Sequence, residues 1–439
     1  MGGKAFSQYD TPRMPQAVYR MVCDALISHL RLYYTEVKSP IEAPEKLDHG
    51  DVDLLVHGPL QSGFDPAKTP KSEVARNIAH EIAAQEWLVG NTGQPINFAI
   101  KWPSHAGARV HPGPNAVVTQ DLVAEEGETR HIQLDVHICH SYEDFRWEYF
   151  HSAHGDLWNI LGTTIRKFGL TVNNKGMYLR IPDIEQSDRK KSMIFLTADP
   201  VRILDFLGVD KIKWFQPFDT KKEMFEYATG CRMFWIKEES ELEDGELEGD
   251  VVGESNNTSQ TGGETGKKHL KHNDRQRMGK RPIFKEWILE YIPQLRSEGK
   301  FLKQLITREE VRDEAFATFG VERVYTERLT EWKLTTHNDQ LWRQIIKGNV
   351  PEDMDPQRRA ATIREIKSII VNGEEFEGSV PEAAIKDAEG FHDFAKVTEF
   401  IQQNLDHLTD IGWKKQQDRA IERMKESAAK KSRGAGVQP

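Results

Sequence analysis

Cysteine is scarce in this chain. Only Cys23, Cys139 and Cys231 occur in 439 residues, and an odd number so far apart, with no Cys-x-x-Cys pair, excludes a disulfide framework and a cysteine zinc site. Long apolar runs are also missing, so no segment has the roughly 20 consecutive apolar residues of a membrane span. The start, Met1-Gly2-Gly3-Lys4, lacks the apolar core of a signal peptide. The expectation is an intracellular protein, of nucleus or cytoplasm, with no membrane partner. Positive charge is the third deficit: 59 Lys and Arg face 69 Asp and Glu, a net charge of -10, which argues against a dedicated nucleic-acid coat. The balance is uneven along the chain, with 238–250 dense in acid and 267–281 and 414–433 basic.

What is present centres on Gly50-Asp51-Val52-Asp53-Leu54-Leu55-Val56. Read as a β-strand, Val52, Leu54 and Val56 form an apolar face and the two aspartates project from the other. Two carboxylates side by side repel unless a cation sits between them, and Mg²⁺ suits such oxygen ligands. Upstream, Val18, Met21, Val22, Ala25, Leu26 and Leu30 form a helical stripe. Next come a strand over 31–37 and a rigid loop containing Ser39-Pro40 and Ala43-Pro44. A helix over 72–88 follows the aspartates. Strands over 97–102 and 130–139 then flank a Pro/Gly-rich excursion expected to be a mobile loop.

The second of those strands alternates Ile132, Leu134, Val136 and Ile138 with Gln133, Asp135 and His137. A third acid amid apolar neighbours is costly as mere structure, and it completes the ligand set of a two-metal phosphoryl-transfer site. The histidines His131, His137, His140, His151 and His154 show no helical pair with a companion acid of the metalloprotease type.

The order helix, strand, loop, Asp-x-Asp strand and third-acid strand resembles the DNA polymerase β-like nucleotidyltransferases. The resemblance continues through Tyr149-Phe150-His151-Ser152-Ala153-His154-Gly155-Asp156-Leu157-Trp158-Asn159 and Gly169-Leu170-Thr171-Val172-Asn173, which look like the nucleotide-facing and thumb portion of family X DNA polymerases. It covers roughly residues 14–218.

The resemblance implies an α+β fold, a mixed sheet with flanking helices. It also implies transfer of a nucleoside monophosphate from a nucleoside triphosphate to an acceptor hydroxyl, on RNA or DNA, with pyrophosphate leaving. Asp51 and Asp53 would hold two Mg²⁺ (or Mn²⁺) ions and Asp135 the hydroxyl-activating one. Ser39, Lys46, Lys101, His154, Gly155, Asn159 and Arg166 would face the nucleotide. The loop before Asp51 offers Ser39, Ile41 and Ala43 but no glycine for a phosphate nest. That absence favours the alternative, a catalytically inactive nucleotidyltransferase fold serving as a binding or scaffold protein.

In this reading, residues 1–237 form the catalytic domain, thumb-like from about 141, ending in a helix over 221–235. Residues 238–280 change from acidic to Ser/Thr/Asn/Gly-rich to basic and form a disordered linker that cannot bury enough apolar surface to offset its ordering entropy. Residues 281–428 are an all-α accessory domain opened by Phe284, Trp287, Ile288 and Tyr291, and 429–439 a frayed tail.

Overall fold

The computed structural model describes residues 3–61, 66, 68–91, 93–103, 130–238 and 277–434. The excursion between the two middle strands (104–129) and most of the charged linker (239–276) therefore lie outside the described residues. The chain divides into two compact units, Met1–Glu322 and Arg323–Pro439.

In the first unit, helix α1 (Gln16–Leu30) follows a two-residue strand β1 (Met14–Pro15) that pairs with β3 (Asp48–His49). The main sheet contains β2 (Tyr34–Lys38), β4 (Val52–Pro59), β5 (Glu86–Val89), β6 (Ile96–Lys101) and β7 (His131–Ile138), in the order β2-β4-β7-β6-β5. β4 and β7 run parallel and the other pairs antiparallel, so the sheet is mixed. Its apolar face, with Val52, Leu54, Val56, Phe98, Leu134 and Val136 all buried, packs on α1 and on α2 (Lys71–Glu81). The opposite face presents Leu55 to Phe145 of α3 (Tyr142–His151). This is the alternation read from the sequence. The helix expected over 72–88 stops at Glu81, because Ala83 takes a left-handed φ of 52° and the next apolar run pairs as the edge strand β5.

Helix α4 (Leu157–Ile165) leads into a three-stranded antiparallel layer of β8 (Leu170–Asn173), β9 (Gly176–Arg180) and β10 (Met193–Thr197). Here β9 and β10 pair as an antiparallel hairpin. Helix α5 (Pro200–Leu207) is capped at its start by Asp199, whose carboxylate accepts from Val201 N and Arg202 N, and closed by Gly208 at φ 71°. Both ends follow from the residue types. α6 (Lys221–Thr229) ends six residues short of the span to 235. Its Phe225 lies 5.4 Å from the ring of Trp287. Trp287 belongs to a π-helical turn between α7 (Pro282–Glu286) and α8 (Ile292–Ser297), which α9 (Arg308–Phe319) follows. The aromatic stripe that opens the C-terminal helical region is thus core of the first unit.

The second unit is all-helical. α10 (Glu322–Gln340) runs into a π-helical turn, Leu341–Ile346, and then α11 (Pro356–Asn372) packs on α12 (Phe394–Gly434). The fold class is the expected one: a mixed sheet flanked by helices, with a C-terminal all-α region.

Candidate functional site

Strand register builds the site. Asp53 on β4 is the direct partner of Asp135 on β7, and Asp135 is in turn the partner of Asn97 on β6. Three polar side chains thereby form one row across three strands, on the face opposite the apolar core. Gln133, two residues from Asp135, shares that face. Asp135 Oδ1 accepts a hydrogen bond from Asn97 Nδ2 at 2.6 Å and another from Gln133 Nε2 at 2.9 Å. Burial pushes the Asp135 carboxyl up; the two amide donors pull it back down and Asp53 pushes it up again. Asp51, just before β4, is raised to about 6 by burial and then by Asp53 and Asp135.

The source of the burial was invisible in the sequence. The N-terminal lead lies against this part of the sheet: Ala5 N donates to Gln133 Oε1 at 2.9 Å, and Phe6 is fully buried. Gly3, at φ 74°, sits so close to the Gly50 carbonyl that a Cβ would lie 2.9 Å from it. Glycine is required there by both conformation and space.

A cavity of about 760 Å³ opens beside the row, and Asp53 alone of the three acids lines it. His137 lies at its wall with Nε2 3.8 Å from Asp53 Oδ1, and Glu148 of α3, whose carboxyl burial raises, is also there. Four cations of the rim already hold carboxylates. Arg13 pairs with Asp48 at 2.7 Å, Lys46 with Glu42 at 2.5 Å and Arg281 with Asp156 at 2.5 Å. Lys221 bridges Glu286 at 2.5 Å and Glu45 at 3.7 Å. The far wall, Arg281 to Glu286, arrives from beyond the charged linker and makes the cleft from segments more than 100 residues apart.

The metal assignment is corrected by this geometry. Among the described residues no three His, Cys, Asp or Glu side chains are placed to hold an ion together. The physical reason is that Asp135 is engaged by two amides, Asp51 is kept out of the cleft, and only Asp53 faces it. The donor set therefore does not fit two Mg²⁺ or Mn²⁺ ions. The metal-dependent nucleotidyltransferase reading, and with it the assignment as a transferase enzyme, is set aside.

The expected nucleotide-facing residues are dispersed. Lys46 and Gly155 line the cleft. Gly155, at φ 59°, passes so close to Ala43 that a Cβ would meet that side chain at 3.0 Å. Ser39 faces a separate shallow groove, its Oγ 3.2 Å from Tyr19 Oη. Lys101 pairs in register with His131, four residues along the strand from Asn97. His154 is fully buried and Nε2–H donates to the Trp214 carbonyl at 2.6 Å. Burial lowers its imidazole to about 4, so it is a neutral core group. Asn159 Nδ2 donates to Asp156 Oδ1 at 3.4 Å, and Arg166 Nε donates to the Gly162 carbonyl at 2.7 Å.

Sequence reasoning missed Asn97, Gln133, Lys221 and Arg281. Asn97 and Gln133 stand in strands that were read correctly, but the register that joins them to Asp135 is set by pairing between segments and has no local signature. No helix among the described residues is long and apolar enough to cross a membrane. No protein-family model matches the chain, and no curated protein matches it.

Proposed function

We propose that the chain is a binding or scaffold protein on a framework like that of the DNA polymerase β-like nucleotidyltransferases, one in which the metal-dependent step is absent. The observation that carries this reading is the Asn97–Asp135–Gln133 arrangement, which commits the third acid to two amide donors. A carboxylate so engaged is a structural acceptor.

The cleft supports a binding role. Its volume of about 760 Å³ falls within the roughly 300–1,000 Å³ of small-molecule sites. Its wall carries both signs of charge in short ion pairs, so a ligand that brings its own paired donors and acceptors can exchange partners with Lys46, Lys221 and Arg281. Such exchange rewards a polar, zwitterionic or peptide-like group over a bare triphosphate, whose charge would meet cations already neutralised.

The test uses the full chain with labelled nucleoside triphosphates, Mg²⁺ or Mn²⁺, and mixed DNA and RNA acceptors. No incorporation is expected, and nucleoside triphosphate with Mg²⁺ should leave the melting temperature where it is without the ion. Metal-dependent incorporation that disappears in Asp53→Ala would overturn the reading. Co-purification of a ligand or partner displaced by Lys221→Glu supports it.

A further inference from the structure

The second unit carries a pocket whose chemistry is unlike that of the cleft. About 640 Å³ in volume, it lies between the turn after the π-helical segment Leu341–Ile346 and one face of α11. Pro356, Arg359, Ala360, Ile363, Arg364 and Lys367 line it at helical i, i+3, i+4 spacing. Met354, Ala360 and Ile363 give it an apolar floor. Trp342, half-buried, forms one wall.

Charge at this pocket is one-sided. Lys347 Nζ lies 4.8 Å and Lys367 Nζ 5.1 Å from the centroid of the Trp342 ring. Neither ammonium has a carboxylate partner among the described residues, and both side chains are exposed. Among the described residues Arg364 reaches Gln416, at 3.5 Å, and no carboxylate. Arg359 is used structurally, since its guanidinium donates to the carbonyls of Lys347, Val350 and Pro351 and so fixes the turn that presents Lys347. Glu352 is the one acid in the lining. In the first unit's cleft every cation discussed above holds a carboxylate. Here, among the described residues, two lysines are held by the face of an indole alone, a weak attraction at an exposed site, which a phosphate outcompetes as a charge-assisted acceptor.

We infer that this pocket binds a nucleoside 5′-phosphate unit, with the base against Trp342 and the apolar floor and the phosphate between Lys347, Lys367 and Arg364. The pocket is far larger than an orthophosphate requires, and a tryptophan beside unpaired lysines is the combination that stacks a base while neutralising its backbone. The same unit can come as a free nucleotide or as part of a single-stranded nucleic acid. This site is independent of the cleft and of the reading given for it.

Fluorescence anisotropy of a 5′-labelled single-stranded 12-mer with the full chain, in EDTA and at low salt, tests the inference. AMP and orthophosphate serve as competitors. Saturable binding is expected, weakened at least about tenfold in Lys347→Glu/Lys367→Glu, whose exposed positions leave folding intact, and weakened in Trp342→Leu with an unchanged circular dichroism spectrum. Competition by AMP identifies the free nucleotide as the source, and binding of the 12-mer without competition by AMP identifies the nucleic-acid strand. Three outcomes would overturn the inference: no saturable binding of either probe, binding unchanged in the double lysine variant, or orthophosphate competing as well as AMP.

Discussion

Asp53 and Asp135 are direct register partners on the parallel strands β4 and β7, yet only Asp53 faces the cleft while Asp135 accepts from Asn97 and Gln133. Adjacent acids on a sheet are thus divided by their side-chain partners into one exposed group and one interior acceptor.

Asn97→Leu removes the 2.6 Å donor from Asp135 and leaves a buried carboxylate short of a hydrogen bond. Stability at pH 7 should fall by about 1–3 kcal/mol, and the Asp135 carboxyl, already raised by burial, should titrate higher still. Carbon-detected carboxyl NMR reads the shift, and an unmoved titration would show that the amide does not hold the acid.

Asp51 provides a stability change of opposite sign. Its carboxyl is raised from 3.8 to about 6 by burial and then by Asp53 and Asp135. Between those values the folded state binds more protons than the unfolded one, so this group's contribution weakens as pH rises through the window. Asp51→Asn should therefore stabilise the protein at pH 7. After discounting for partial exposure the gain is on the order of 1 kcal/mol, roughly 2–4 °C in Tm, and it should vanish below pH 4. Thermal melts at the two pH values check it.

His154 and His49 act at overlapping pH in the other direction. Burial lowers both from 6.5 to about 4; His49 is stacked 3.6 Å from the Tyr19 ring. Between 6.5 and 4 the unfolded chain takes up protons that the folded one refuses, so their contribution is full above about 6.5 and falls as pH drops. His154→Gln should flatten the loss of urea stability between pH 6.5 and 5 relative to the parent. An identical slope would remove His154 from the account.

Glu185 joins two arginines from distant parts of the first unit. Arg180 Nε lies 2.9 Å from one carboxylate oxygen and Arg308 Nη1 2.8 Å from the other, with Arg180 and Glu185 both nearly buried. Glu185→Ala takes the Glu185 carboxylate away from a nearly buried guanidinium and should cost about 3–5 kcal/mol. Arg308→Ala should cost less, because Glu185 keeps Arg180. Denaturant midpoints rank the two, and equal losses would contradict the asymmetry.

The parts of the fold legible in the sequence were those whose physics is local. Alternation in 52–56 and 132–138 gave the strands and their apolar face, Asp199-Pro200 and Gly208 gave both ends of α5, and the helical stripe of 16–30 gave α1. Trp87 and Leu88, read as the end of the helix over 72–88, instead pair with β6 as an edge strand, a partner that no local pattern shows. The aromatic stripe around Trp287 showed that it would be buried but could not show against what.

What could be read along the chain was the placing of Asp53 opposite the apolar face of β4, and of Asp135 and His137 opposite that of β7, because side-chain direction within a strand depends only on parity. Tertiary structure decided what those acids do. The Asn97 and Gln133 amides, the N-terminal lead at Gly3 and Ala5, and the wall carrying Arg281 all come from other segments. Whether a carboxylate is a metal ligand or a structural acceptor is set by which donors reach it through space, and that distance is not encoded at the carboxylate's own position.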